Sequence, residues 1–156
     1  MTSHTPVALA GVTIREIEAG EFAAVREHIL RVTREDLRSE YRPEWHWDVD
    51  DLQGVYVDHP RQALFVALDD VSGEVAGTIS VVNVAPNAPP HPAWLAERYT
   101  GPAVAQVLRA YIARDHRRRG IARALVERAR QFVADVDGYD TIYLHTNASV
   151  PGAEAF

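Results

Sequence analysis

The chain alternates apolar and polar side chains over Val12-Thr13-Ile14-Arg15-Glu16-Ile17, the pattern of a half-buried strand. Phe22, Val25, Ile29 and Val32 then recur at helical spacing with charges between them, after a Glu18 to Glu21 turn. Ala63 to Leu68 is unbroken apolar sequence, as in a buried strand. Asp69-Asp70-Val71-Ser72-Gly73-Glu74 carries turn chemistry, and Val75 to Val84 returns, so the two runs predict an antiparallel hairpin. Gly77 inside the returning strand marks a bulge or a close approach by another group. Val104 to Ala113 reads as a further strand. Ile121, Leu125, Ala129 and Phe132 share one face of a helix, and Thr141 to Asn147 reads as a last strand. Ala148 to Phe156 then starts another helix, with Pro151 suited to its first turn.

Three stretches lack such periodicity. Residues 1–11 read as a loose tail. Arg38 to Asp58 is rich in aromatic and acidic residues, and Pro43 discourages a continuous helix there. Asn83 to Pro102 holds five of the nine prolines, with a long loop over residues 85–102. Within it Ala93 to Tyr99 suits a short helix, either a lid on the core or a wall of a binding site. There is no internal repeat or linker, so residues 1–156 form a single domain.

Composition narrows the function. With 47% hydrophobic and 24% charged residues the chain is globular rather than disordered. A net charge of −6 argues against nucleic acid or an anionic membrane as the partner. Cysteine is absent, which excludes disulfides, a thiolate metal site and a cysteine nucleophile. The seven histidines show no HExxH or comparable spacing, so no metal site is expected. No GxSxG stands in the sequence, which makes a serine nucleophile unexpected. No apolar run has the length of a membrane span, and the chain reads as cytoplasmic. All 16 basic residues are arginine.

The distinctive chemistry lies in Arg114-Asp115-His116-Arg117-Arg118-Arg119-Gly120, between the Val104 strand and the helix that begins at Ile121. A helix start leaves backbone N–H groups unpaired and its dipole favours negative charge. Glycine lets the backbone approach a ligand closely, and guanidinium groups grip phosphate. Read alone, the arginine run also suits a solvated helix start or a nucleic-acid patch. The acidic surroundings and the Gly120-Ile121-Ala122 sequence favour a phosphate-bearing cofactor.

Arg117-Arg118-Arg119-Gly120-Ile121-Ala122 resembles the R/Q-x-x-G-x-G/A signature of the GCN5-related N-acetyltransferases, and the strand before, the helix after and the later strand extend the likeness. The resemblance implies an α/β fold with a mixed, mostly antiparallel sheet and helices on both faces. It implies an N-acetyltransferase using acetyl-coenzyme A without metal. The pyrophosphate would lie on Arg117, Arg118, Arg119, Gly120, Ile121 and Ala122. The pantetheine arm would lie along Ala110, Tyr111 and Ile112, with the Ile112 amide polarising the thioester carbonyl. Asn147 would contact the cofactor or an ordered water. The family's C-terminal helix remainder and closing strands, and with them the tyrosine that often protonates the thiolate, would fall past Phe156. Either the chain is then a truncated version of a longer protein, or a partner subunit covers the open edge of the last strand in a homodimer.

The general base departs from the family pattern. Many members carry a glutamate early in the strand before the arginine turn, where this chain has Gln106 and Arg109. Asp48, Asp50, Asp51, Glu44, His145 or a water chain remain, with Asp48, Asp51 and His145 the candidates kept. Glu44, Trp45, Trp47 and Asp48 form either a solvated loop anchored by its tryptophans or the wall of an acceptor site. The second reading suggests a small cationic amine as acceptor. A non-catalytic acyl-coenzyme A-binding module is the alternative function.

Overall fold

The computed structural model describes residues 7–88 and 91–146. Its elements are β1 (Val7–Leu9), β2 (Val12–Glu16), α1 (Phe22–Glu35), β3 (Ala63–Asp69), β4 (Val75–Val82), α2 (Ala93–Arg98), β5 (Val104–Ile112), α3 (Ile121–Asp135) and β6 (Thr141–Leu144). The strands form one six-stranded sheet in sequence order. Every neighbouring pair is antiparallel except β5 with β6, which run parallel.

Residues 7–9 correct the expectation of a loose tail over 1–11: they add β1 to the edge of β2, turning back through Gly11 at φ 80°. That three-residue strand is too short to show a period, which is why the sequence pattern missed it. The 75–84 run ends as a strand at Val82, and the strand expected to reach Asn147 ends at Leu144. Asn147 and the helix expected over Ala148–Phe156 lie outside the described residues.

Two apolar layers sandwich the sheet. On one face Ile121, Leu125, Ala129, Phe132 and Val133 of α3 bury against Val12, Ile14, Phe65, Ala67, Ile79 and Val81. On the other Val25 and Ile29 of α1 pack with Leu64, Val66 and Val82, joined by Val49, Leu52 and Tyr56 from the segment after α1. Each fully buried Leu, Ile or Phe contributes roughly 1.5–3 kcal/mol. The apolar stripes read from the sequence of both helices are therefore what place them on opposite faces.

Gly77 meets both expectations for it. Pairing between β3 and β4 shifts register beside it. A side chain there would also stand 2.8 Å from Cδ1 of Ile112 and 3.2 Å from Cδ1 of Leu125, so glycine is what lets α3 and β5 approach β4. β6 forms the far edge of the sheet, with Ile142 and Leu144 exposed. Among the described residues no helix is long and apolar enough to cross a membrane.

Candidate functional site

The strand that leads to the arginine turn is bulged. β5 pairs with β4 as Thr78 with Tyr111 and Ser80 with Leu108, so Arg109 and Ala110 together oppose Ile79. Arg109 takes φ 57°, which side-chain-bearing residues rarely adopt. Two buried hydroxyls of β4 hold this kink: Thr78 Oγ1 donates to the Arg109 carbonyl at 2.8 Å and Ser80 Oγ to the Leu108 carbonyl at 3.1 Å. The sequence carried a signal for it, since Thr78 and Ser80 are polar residues two apart in a strand otherwise apolar from Ile79 to Val82.

Beyond the bulge the sheet parts. Parallel pairing of β5 with β6 runs from Val104–Thr141 to Val107–Leu144, while β5 continues to Ile112. The Ala113 amide donates to Ala76 O at 2.9 Å, so by alternation along an antiparallel ladder the Ile112 amide faces away from β4, into that opening. Tyr111 keeps its place in the ladder and its carbonyl accepts from His28 Nε2 at 3.0 Å. His28 lies on the apolar face of α1 and its pKa is lowered to about 4, chiefly by burial, which keeps it neutral. Its role escaped sequence reading because a histidine on an apolar stripe looks like any core residue.

The turn after β5 winds through a short 3₁₀ segment at Arg114–His116 into α3, with Gly120 capping the helix at φ 82°. Among the described residues no protein acceptor takes the backbone N–H of Arg118, Arg119, Gly120, Ile121, Ala122 or Arg123. The space over Gly120 is open, with nothing within 4 Å of where a side chain would begin. Orphan amides, a helix dipole and open space suit an anion.

The three arginines of the turn differ. Arg117 folds back: its Nε donates to Ile112 O at 3.1 Å and its Nη2 to Asp36 Oδ2 at 2.5 Å. Asp36 caps α1 and also takes Arg114, at 2.6 Å. Arg119 leans toward Asp69, 3.9 Å away. Arg118 forms no ion pair among the described residues. Asp69 accepts from the amides of Val71 and Ser72 and lies 3.0 Å from His116 Nε2; those contacts, the Ser72 amide foremost, lower its pKa to about 2. The hairpin turn and the arginine turn are thereby joined.

The segment after α1 is held to the core by residues other than its tryptophans. Trp45 and Trp47 are 47% and 39% exposed, while Val49, Leu52 and Tyr56 anchor the segment instead. Its carboxylates are mostly engaged. Asp48 is wholly buried, gripped by Arg109 and by the Tyr56 hydroxyl at 2.7 Å. Asp51 accepts from the Gly54 amide at 2.9 Å and starts a π-type turn over Gln53–Val57. Asp50 takes Tyr41 and Arg26. Glu44 has no ion pair among the described residues.

His145 lies one residue past the last β5–β6 pair, where the strands separate, and is exposed. Its ring stacks on His91 with centroids 5.4 Å apart, and His91 also meets Tyr143 at 5.6 Å. His91 comes from the proline-rich loop, and no pattern around it marks a contact with His145.

A mixed sheet that parts beside a bulged strand thus lies next to a long helix whose first amides meet no acceptor among the described residues, a cleft and an anion site side by side. The acetyltransferase (GNAT) family profile matches residues 25–156, and the chain belongs to that family. No curated protein matches the sequence. Among solved structures, the fold is similar to an acetyltransferase of the GNAT family from Staphylococcus aureus Mu50, with 14% identity over 86% of this chain and 72% of that one at a TM-score of 0.67. An acetyltransferase from Streptococcus agalactiae 2603 shares 16% identity over 89% of this chain and 75% of its own, at 0.66. Glucosamine-6-phosphate N-acetyltransferase from Arabidopsis thaliana shares 12% over 88% and 83%, at 0.59.

Proposed function

We propose that this chain is a cytoplasmic N-acetyltransferase that moves an acetyl group from acetyl-coenzyme A to a primary amine of a small, cationic acceptor by direct attack. One observation carries the reading: a run of amides from Arg118 to Arg123 with no acceptor among the described residues, under open space at Gly120, leads off a helix of 15 residues. When bound, acetyl-coenzyme A supplies an acetyl group activated as a thioester.

The residues divide the work. The amides of Arg119, Gly120, Ile121 and Ala122 hold the diphosphate, with Arg118 and Arg119 adding charge. The backbone of Ala110, Tyr111 and Ile112 lines the parted strands, and the Ile112 amide stabilises negative charge developing on the thioester oxygen. Trp45 and Trp47 flank the acceptor's body, and Glu44 meets its positive charge. His145 takes the ammonium proton, since Asp48 is buried in an ion pair and Asp51 caps a turn.

Those same commitments of Asp48 and Asp51 favour the second reading, a module that holds acyl-coenzyme A without turnover. A steady-state assay with acetyl-coenzyme A, a panel of amines and thiol detection separates them. Amine-dependent thiol release lost in His145→Ala supports catalysis. Tight coenzyme A binding with no release for any amine supports the binding module.

A further inference from the structure

The bulge of β5 does more than open the sheet: it aims a charged side chain at the acceptor segment. Leu108 packs on the α1 face and Ala110 on the α3 face. The extra residue between them, Arg109, reaches under the segment after α1. Its Nε lies 3.0 Å from Asp48 Oδ2 and its Nη2 2.6 Å from Asp48 Oδ1, a two-pronged pair. The same Nη2 donates to the Trp45 carbonyl at 2.7 Å. Only 10% of the Arg109 side chain and none of Asp48 meets solvent. The Tyr56 hydroxyl completes the cluster on Asp48, and Thr78 holds the Arg109 carbonyl from the opposite side.

We infer that Arg109 is a positioning residue: through Asp48 and the Trp45 carbonyl it fixes the acceptor wall against the kinked strand whose Ile112 amide faces the cleft. The kinetic half of this inference rests on the acetyl-transfer reading above. Two features argue for a role beyond holding the fold. A buried ion pair is seldom more stabilising than apolar residues of the same volume, so stability alone does not account for one here. The cluster also spans two units that a two-substrate enzyme must keep in register. One end is the backbone of residues 109–112, next to the thioester site. The other is the peptide of Trp45, whose exposed ring lines the acceptor side. A small error in that register lowers the fraction of bound pairs able to react.

Asp48 also acts on the charge state of its two partners. Burial opposes the charged form of Arg109, yet the hydrogen bonds and charge of Asp48 outweigh it and raise its pKa. Burial, then the Asp48 charge, raises that of Tyr56 well above the usual tyrosine range. Arg109 and Tyr56 therefore both keep their protons and hold the segment as a fixed strut.

The test replaces the whole cluster, because removing one charge strands the other and risks unfolding. The variant carries Arg109→Met, Asp48→Leu and Tyr56→Phe; Arg109→Lys serves as the conservative change, able to reach Asp48 without the two-pronged grip. The expected result for the triple variant is a cooperative melt, coenzyme A affinity within about twofold of the parent, and kcat/KM for the acceptor lower by about tenfold or more, through both kcat and acceptor KM. Arg109→Lys falls between. In the ligand-free chains, amide exchange over residues 44–57 rises by about tenfold in the triple variant while the central strands stay protected. Acceptor kinetics and exchange matching the parent in the triple variant overturn the inference. So does a parallel loss of acceptor turnover and coenzyme A affinity, which marks a scaffold role. A parent chain without amine turnover removes the functional reading, and the exchange measurement then decides the strut by itself.

Discussion

Arg117 rests on Asp36, Nη2 to Oδ2 at 2.5 Å, on a carboxylate that also receives Arg114 at 2.6 Å. One acid at the end of α1 thus holds two of the guanidinium groups beside the helix start. Burial works to raise the Asp36 pKa, and hydrogen bonds from Arg114 and Arg117 prevail and lower it. Asp36→Ala removes a negative charge and frees both arginines. Coenzyme A is expected to bind about two- to fivefold tighter at low salt, the range of an exposed charge contact, with the gain fading as salt rises. Calorimetric titration at two ionic strengths checks this.

Gly77→Ala places a methyl group 2.8 Å from Ile112 Cδ1, 3.2 Å from Leu125 Cδ1 and 3.3 Å from the Tyr111 carbonyl. The two methyl contacts yield by rotamer shifts, while the carbonyl belongs to the ladder. A loss of about 1–3 kcal/mol is expected in urea unfolding, together with weaker coenzyme A binding because Ile112 and the start of α3 both move.

His28 gives the fold a pH dependence. Its pKa is lowered from 6.5 to about 4 by burial, so below pH 6.5 the unfolded chain takes up a proton that the folded one refuses. Stability from this group is complete above pH 6.5 and is lost as pH falls toward 4. The loss approaches about 3 kcal/mol, given 1.36 kcal/mol per pKa unit. His28→Gln keeps a donor for the Tyr111 carbonyl without titrating. Urea midpoints measured from pH 7 to 4.5 should fall more steeply for the parent chain than for His28→Gln.

Trp45→Ala and Trp47→Ala test the acceptor wall. Both residues are partly exposed and neither joins the two buried layers, so each change should alter stability by about 1 kcal/mol or less. Each should raise the acceptor KM by about fivefold or more, the worth of a lost aromatic contact, with coenzyme A affinity unchanged. Steady-state kinetics with the best amine of the panel checks both.

Much of this was legible in the chain. Helical spacing located α1 and α3 to within a residue at their starts, because each buries a continuous stripe. The β3–β4 hairpin followed from two apolar runs around Asp69 to Glu74. The arginine turn stood out because glycine, arginine and a helix start each suit an anion. What stayed hidden depends on contacts between residues distant in sequence. Nothing near Arg109 says that it will meet Asp48, nothing near Asp36 says that it will take Arg117, and His91 meets His145 only because the proline-rich loop lies over β6. Asp48, Asp50 and Asp51 read in sequence as candidate bases, and the fold commits them to two arginines, two tyrosines and a turn.

The central claim is that unpaired amides at residues 119–122 grip a diphosphate. Calorimetric titration of coenzyme A into the parent chain and into Gly120→Glu tests it most directly, since the new carboxylate enters the open space over the turn. Saturable binding is expected for the parent chain, and none for a Gly120→Glu variant that still melts cooperatively. Equal affinity in the two chains, or no heat from the parent, would contradict it.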